Sequence, residues 1–115
     1  MQLPQSGNEL SHFLDKEEFV VRTLDQINKD LGGLEASEVN FNVDMEKDVL
    51  PQLVGQMAYV LVKMESRNIQ QFIYRVDIKE TDFLNAVSKE DDFQELAFLV
   101  IRREAQKVFL RYKFS

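Results

Sequence analysis

The chain contains no cysteine and no tryptophan, and it has one histidine, two prolines and four glycines among 115 residues. The absence of cysteine excludes disulfide scaffolds, zinc–thiolate sites, iron–sulfur clusters and cysteine nucleophiles. So few turn-forming residues favour helices over a many-stranded β fold, because each connection between strands needs a turn. The longest apolar clusters also fall far short of the roughly 20 residues that a membrane span needs.

The composition is that of one globular domain with an acidic surface. Hydrophobic residues make up 44% of the chain and charged residues 30%, with a net charge of −6. We expect a single helical domain over residues 1–115, with no membrane association and with nucleic acid disfavoured as a partner. Residues 1–8 are polar and do not resemble a secretion signal, so the expected location is the cytoplasm.

Helical spacing of apolar residues predicts an all-α, compact bundle of four to five helices. The first runs from about 15 to 31, with Asp15 and Glu18 as its capping box. The second begins at Asp48 and ends at a break near 66–68, and the third reaches about 77. A short helix spans 80–87, and the last opens at Ser88 and ends near 112. Residues 1–12, poor in apolar side chains, are expected to form a flexible arm.

Residues 38–45 do not follow the helical pattern. Apolar and polar side chains alternate strictly there, which is strand periodicity. The segment either pairs with residues 74–78 as a small β ribbon or forms an extended connection whose apolar side chains plug the bundle. The extended connection is favoured, because a lone pair of strands is marginal in water.

Glu104 projects into the apolar face of the last helix, where a carboxylate must find a partner, take up a proton or lie beyond the packing contact. Arg111 lies on nearly the same face two turns later, so a buried pair of Glu104 and Arg111 is predicted. Arg22 and Arg75 are alternative partners. A less favoured interpretation makes Glu104 a ligand-contacting acid in a pocket between helices.

The C-terminal helix is basic at its end, with a candidate basic patch of Arg102, Arg103, Lys107, Arg111 and Lys113. Aromatic residues lie between these cations, as in surfaces that bind nucleic acid. The start of the same helix is acidic, however, and this distribution is the one that a helix dipole stabilises. The structural explanation is favoured over nucleic-acid binding.

Several apolar residues lie outside the faces assigned to a single core, namely Tyr59, Val62, Leu99, Phe109, Leu110 and Phe114. A helix that is hydrophobic on two sides is buried on two sides, so this set is a candidate interface with a second copy or another protein. Gly55 lies mid-helix, also outside the apolar face. It either allows a close contact with another helix or with a second subunit, or is simply tolerated.

No arrangement of residues typical of catalysis is recognisable. His12 stands alone before the first helix, and the sequence has no metal-ligand spacing and no phosphate-binding glycine loop. We therefore expect no catalytic, cofactor or metal site, and a non-enzymatic protein-interaction or self-association module. The alternatives are a nucleic-acid-associated module using residues 102–113 and a small ligand-binding protein or enzyme with a pocket near Glu104. The run 95–108 resembles short helical bacterial proteins, a resemblance that implies no activity.

Overall fold

The computed structural model of the chain describes residues 2–34 and 39–114, which form six α-helices. In chain order these are α1 (Gly7–Phe13), α2 (Glu17–Leu31), α3 (Val49–Lys63), α4 (Ser66–Val76), α5 (Glu80–Val87) and α6 (Gln94–Phe114). Neither of the two described ranges contains a strand. The predicted all-α class is confirmed, whereas the predicted number of four to five helices and the option of a short β segment near 38–45 are wrong.

The additional helix, α1, lies in the segment expected to be a flexible arm. Ser6 and Glu9 form a reciprocal capping box: the Glu9 N–H donates to Ser6 Oγ at 3.1 Å, and the Ser6 N–H donates to Glu9 Oε1 at 3.0 Å. Leu10 and Phe13, three residues apart on one face, are buried in the core. The capping box and the apolar spacing both stabilise this helix. The expectation of a flexible arm over residues 1–12 is therefore wrong for residues 7–12.

The ends of α2 agree with the predicted helix to within two residues. Its N-cap is Lys16, which makes no side-chain hydrogen bond, so the predicted capping box of Asp15 and Glu18 is not formed. The helix ends at Leu31, and Gly33 follows with a φ of 80°, which glycine adopts without strain.

Residues 39–45 form the favoured extended connection, and their alternation corresponds to alternate burial. The half-buried side chains that pack against the core are Val39, Phe41, Val43 and Met45, and the residues between them are exposed. The alternative ribbon is not formed, because residues 74–76 belong to α4. Residue 38 lies outside the described ranges.

Side-chain amides take the place of a partner strand for this connection. Gln56 accepts a hydrogen bond from the Asn42 N–H at 2.8 Å and donates one to the Asn42 carbonyl at 2.7 Å. Gln52 binds both backbone groups of Asp44 in the same way, and Asn28 binds those of Val39. The polar backbone of the connection is thereby satisfied without a sheet.

The start of α3 and the break before α4 are close to their predicted places. Asp48 is the N-cap of α3, and its side chain accepts a hydrogen bond from the Leu50 N–H at 3.2 Å. The chain leaves α3 after Lys63 and enters α4 at Ser66. This break accounts for the shift in the phase of the apolar pattern near 66–68.

The start of α6 differs from the prediction by six residues. Ser88 caps the end of α5 and does not begin the last helix. Asp92 and Phe93 have positive φ values of 55° and 64°, so the backbone turns sharply before α6 begins at Gln94. Asp91 still serves the new helix, because its carboxylate accepts a hydrogen bond from the Glu95 N–H at 3.1 Å.

The core is arranged around α6, which packs against α2, α3, α4 and α5. The radius of gyration of the chain is 13.3 Å, the value expected for a compact domain of this length. Glu104 lies midway along this central helix and is fully buried. None of the described helices is long and apolar enough to cross a lipid bilayer.

Candidate functional site

A buried group of ionisable side chains, the carboxyl cluster, consists of Asp30, Glu104 and Lys107. Lys107 Nζ lies 2.9 Å from Asp30 Oδ2 and 2.9 Å from Glu104 Oε1, and it donates to the Arg75 carbonyl at 3.1 Å. Glu104 has no exposed surface, and the side chains of Asp30 and Lys107 are 12% and 17% exposed. The ammonium group thereby contacts three helices at once, α2, α4 and α6.

The predicted partner of Glu104 was Arg111, and this pairing is wrong. The Arg111 guanidinium donates instead to Gln26 Oε1, whose amide nitrogen donates to Asp30 Oδ2 at 3.2 Å. Lys107 occupies the position beside Glu104, because it lies three residues away on the same helix face.

The two alternative arginines have other partners as well. Arg75 donates to the backbone carbonyls of Asp30 and Gly32, at 3.0 and 2.5 Å. Arg22 pairs with Glu18 at 3.0 Å, one turn earlier on α2. Neither guanidinium is therefore engaged with the buried acid.

Burial, followed by the hydrogen bond to Asp30, raises the pKa of the Glu104 carboxyl group to about 9, although Lys107 acts to lower it. Burial acts in the same direction on Asp30, but hydrogen bonds from Glu104, Lys107 and Gln26 outweigh it and lower the pKa of Asp30. An ionised Glu104 would have to share the Lys107 ammonium with the Asp30 carboxylate, and neither Glu104 oxygen has a well-directed hydrogen bond within the described residues. When Glu104 is a neutral acid, its O–H group donates a hydrogen bond to the Asp30 carboxylate.

The geometry of the carboxyl cluster suits holding helices together. A residue without exposed surface cannot touch a ligand in this fold, so Glu104 does not line an open pocket. The neutral acid and the ion pair beside it satisfy one another, which is how a protein tolerates polar groups in its core.

The residues of the candidate basic patch are mostly engaged within the chain. Arg103 pairs with Asp77 at 3.0 Å, and Lys107 and Arg111 bind the partners described above. The Arg102 guanidinium lies 5.6 Å from the centre of the Phe98 ring. The five cations therefore do not form one continuous exposed surface, and nucleic-acid binding by residues 102–113 stays a prediction without geometric support.

The candidate interface residues are divided by the fold. Leu99 packs half-buried against the core, and Phe109 is 4% exposed, so Phe109 offers too little surface for an interface with a protein partner. This corrects the prediction for Phe109, whose burial depends on contact with α1. The members that remain exposed are Tyr59, Val62, Leu110 and Phe114.

One feature that the sequence did not indicate is a cleft of about 340 Å³, the aromatic cleft, between the N-terminal segment, the start of α2 and α6. Its floor is formed by Phe13, Phe19 and Phe109, and Glu9, His12 and Lys16 lie at its rim. The apolar spacing of Leu10 and Phe13 is the signal that could have revealed it, because that spacing predicts the helix forming one wall.

The single histidine lies away from any ligand set. His12 is exposed, and its Nδ1 lies 3.5 Å from the Asp15 carboxylate. Across residues 2–34 and 39–114, no three histidine or acidic side chains come together in a way that could hold a metal ion.

Comparison with known proteins adds no assignment. The chain matches no protein-family model, no curated protein and no solved structure. The function therefore has to be argued from the geometry of this fold.

Proposed function

We propose that this domain is a non-enzymatic interaction module that associates with a second copy of itself through the outer face of α3. This surface, the α3 face, consists of Pro51, Gly55, Tyr59 and Val62, all exposed. Their spacing of four, four and three residues places them along one side of the helix. Tyr59 is 62% exposed and Val62 54% exposed, although both carry large apolar surfaces.

The single observation that carries the proposal is the absence of charged side chains from all of α3 except its last residue, Lys63. Residues 49–62 contain no charged side chain, in a chain of which 30% is charged. Two copies with a net charge of −6 each repel one another, least where their surfaces are uncharged. Lys63 lies at the edge of this face, with its Nζ 4.7 Å from the centre of the Tyr59 ring, and it is the one charged side chain among residues 49–63. A second copy is therefore favoured over a strongly charged partner.

Gly55 gives the α3 face a point of close approach. A Cβ atom built at this position would meet nothing within 4 Å, so no other part of the described fold fills the gap. Glycine within a helix costs about 1 kcal/mol relative to alanine, and no contact within residues 2–34 and 39–114 offsets this cost. Across a twofold axis, the gap lets the α3 helices of two copies cross closely at Gly55.

The association is expected to be weak, because one helix face buries less than the roughly 800 Å² per partner of a standard interface. Sedimentation equilibrium over a range of concentrations measures it. Tyr59→Glu removes the apolar ring from the α3 face and puts in its place a carboxylate that an interface would have to desolvate, so it should shift the equilibrium to monomer. Tyr74→Glu, at an 86% exposed tyrosine on α4, is the matched control and should dimerise as the wild type does.

Gly55→Ala tests the crossing point with two readouts of opposite sign. Alanine should stabilise the isolated helix by up to about 1 kcal/mol and raise the Tm of the monomer. The added methyl group should hold the two helices apart and weaken dimerisation. A wild-type chain that stays monomeric at every concentration, or equal effects of Tyr59→Glu and Tyr74→Glu, would overturn the proposal.

A further inference from the structure

The aromatic cleft has a floor of rings that pack on one another and on the core. The rings of Phe13 and Phe19 are stacked, with centroids 4.5 Å apart, and Phe109 meets Phe13 edge to face at 6.1 Å. All three side chains are held by the core on their other sides. A ligand that settles on this floor therefore does not have to order it, which removes one of the costs of binding.

Lys16 supplies a positive charge at the edge of this floor. Its Nζ lies 6.0 Å from the centre of the Phe19 ring, and Lys16 forms no ion pair with any residue that the structure describes. Other cations near α2, such as Arg22 and Lys107, are paired with acids. Lys16 is therefore free to receive an anion at the rim of the cleft.

Glu9 is the opposing charge at the rim, but its carboxylate is committed to the fold. Glu9 Oε1 accepts hydrogen bonds from the backbone N–H groups of Ser6 and Gln5, at 3.0 and 3.2 Å. These bonds lower the pKa of Glu9 and keep it ionised. Its negative charge weakens the attraction of an anion to the cleft, and that effect can be measured.

We propose that the aromatic cleft binds a small organic acid in which two or three bonds separate the carboxylate from an aromatic or branched apolar group. Aromatic groups pack at centroid distances of about 4.5–7 Å, and the 6.0 Å between Lys16 Nζ and the Phe19 ring leaves room for such a spacer. The carboxylate then accepts from Lys16, while the apolar group packs against the small parts of the Phe13, Phe19 and Phe109 rings that remain exposed, 7%, 6% and 4% of each residue. A volume of about 340 Å³ lies at the small end of ligand pockets.

The test is a titration of the full chain with 3-phenylpropionate, in which NMR chemical shifts of the backbone amides report binding. Binding in the millimolar range is expected for so small a ligand, so the titration extends to about 10 mM. The shifts should saturate and should centre on the residues around Phe13 and Phe109. The neutral analogue 3-phenylpropanamide should bind more weakly, because it cannot pair with Lys16.

Two variants and one control locate the effect of charge on binding. Lys16→Gln should weaken the binding of 3-phenylpropionate about two- to fivefold, the range of an exposed ion pair. Lys29→Gln, at another exposed lysine of α2, is the matched control and should leave binding unchanged. Glu9→Gln keeps a residue type that forms capping boxes, removes the negative charge and should tighten binding.

Several results would overturn the proposal. Shifts that do not saturate, shifts centred away from the aromatic cleft, or equal affinities of wild type and Lys16→Gln would each do so. Equal affinities for the acid and its amide would also overturn it. The outcome is independent of dimerisation, because the α3 face contributes no residue to the cleft.

Discussion

The carboxyl groups of Asp30 on α2 and Glu104 on α6 share one ammonium group, because Lys107 Nζ lies 2.9 Å from an oxygen of each. Two ionised carboxylates and one ammonium would leave a net negative charge in the interior, which is costly. The raised pKa of Glu104 avoids this, since the proton stays on Glu104 while Asp30 and Lys107 form an ion pair. The cluster is then neutral, and it joins α2 to α6.

Truncation of Glu104 should be far more costly than truncation of an exposed acid on the same helix. Glu104→Ala leaves a cavity and removes the hydrogen bond to Asp30, so we expect a loss of about 3 kcal/mol or more in the free energy of unfolding. Glu95→Ala removes an exposed pair with Lys89 and should cost no more than about 1 kcal/mol. Urea unfolding of both variants checks this, and equal stabilities would contradict the role given to Glu104.

The stability of the wild type should fall as the pH rises from about 4.5 to about 9. Between these values the unfolded chain has lost the proton of Glu104 while the folded chain still holds it. The unfolded state then binds fewer protons, so each pH unit lowers the free energy of unfolding by up to about 1.4 kcal/mol. Asp30 has a lowered pKa, so its effect on stability has the opposite sign: the free energy of unfolding falls as the pH drops below 3.8, the ordinary pKa of an aspartate.

Glu104→Gln is the matched variant for this pH dependence. Glutamine has the shape of the neutral acid and can donate to Asp30, but it cannot ionise. We expect stability close to that of the wild type near pH 5, and a higher stability than the wild type at pH 8 and above. Thermal unfolding across this range measures both, and parallel pH profiles of the two proteins would refute the assignment.

Removal of the shared ammonium should leave the Asp30 carboxylate without a counter-charge. Lys107→Met keeps most of the apolar stem, so the loss of about 3–5 kcal/mol expected for breaking a buried pair reports on the charge. Lys113→Met, near the exposed end of α6, should change stability by no more than about 0.5 kcal/mol. A similar small change for both variants would show that Lys107 does not hold the cluster.

The amide clamps on residues 39–45 should control how firmly this connection is held. Gln56→Ala removes the two hydrogen bonds to Asn42, and water can replace them because Asn42 is exposed. We expect a loss of about 1 kcal/mol and faster limited proteolysis within the segment. Gln70→Ala, at an exposed glutamine of α4, is the control. Unchanged cleavage in Gln56→Ala would mean that apolar packing alone holds the connection.

Helix positions could be predicted from the sequence wherever local signals decide them. The N-cap at Asp48 and the bounds of α5 depend on residues within a few positions of each end, and both predictions are confirmed. The capping box of Ser6 and Glu9 was equally local, so α1 was readable although it was assigned to an arm. The start of α6 was not readable in this way, because it depends on positive φ values at Asp92 and Phe93.

The sequence by itself determined that the Glu104 carboxylate would lie on the apolar face of α6, because that position follows from helical periodicity alone. Its partner Asp30 lies far away in the chain, and only the packing of α2 against α6 brings the two together. The same holds for the aromatic cleft, which exists because α1 folds back onto Phe109. Helix faces are properties of short segments, whereas contacts between helices depend on crossing geometry that no local pattern encodes.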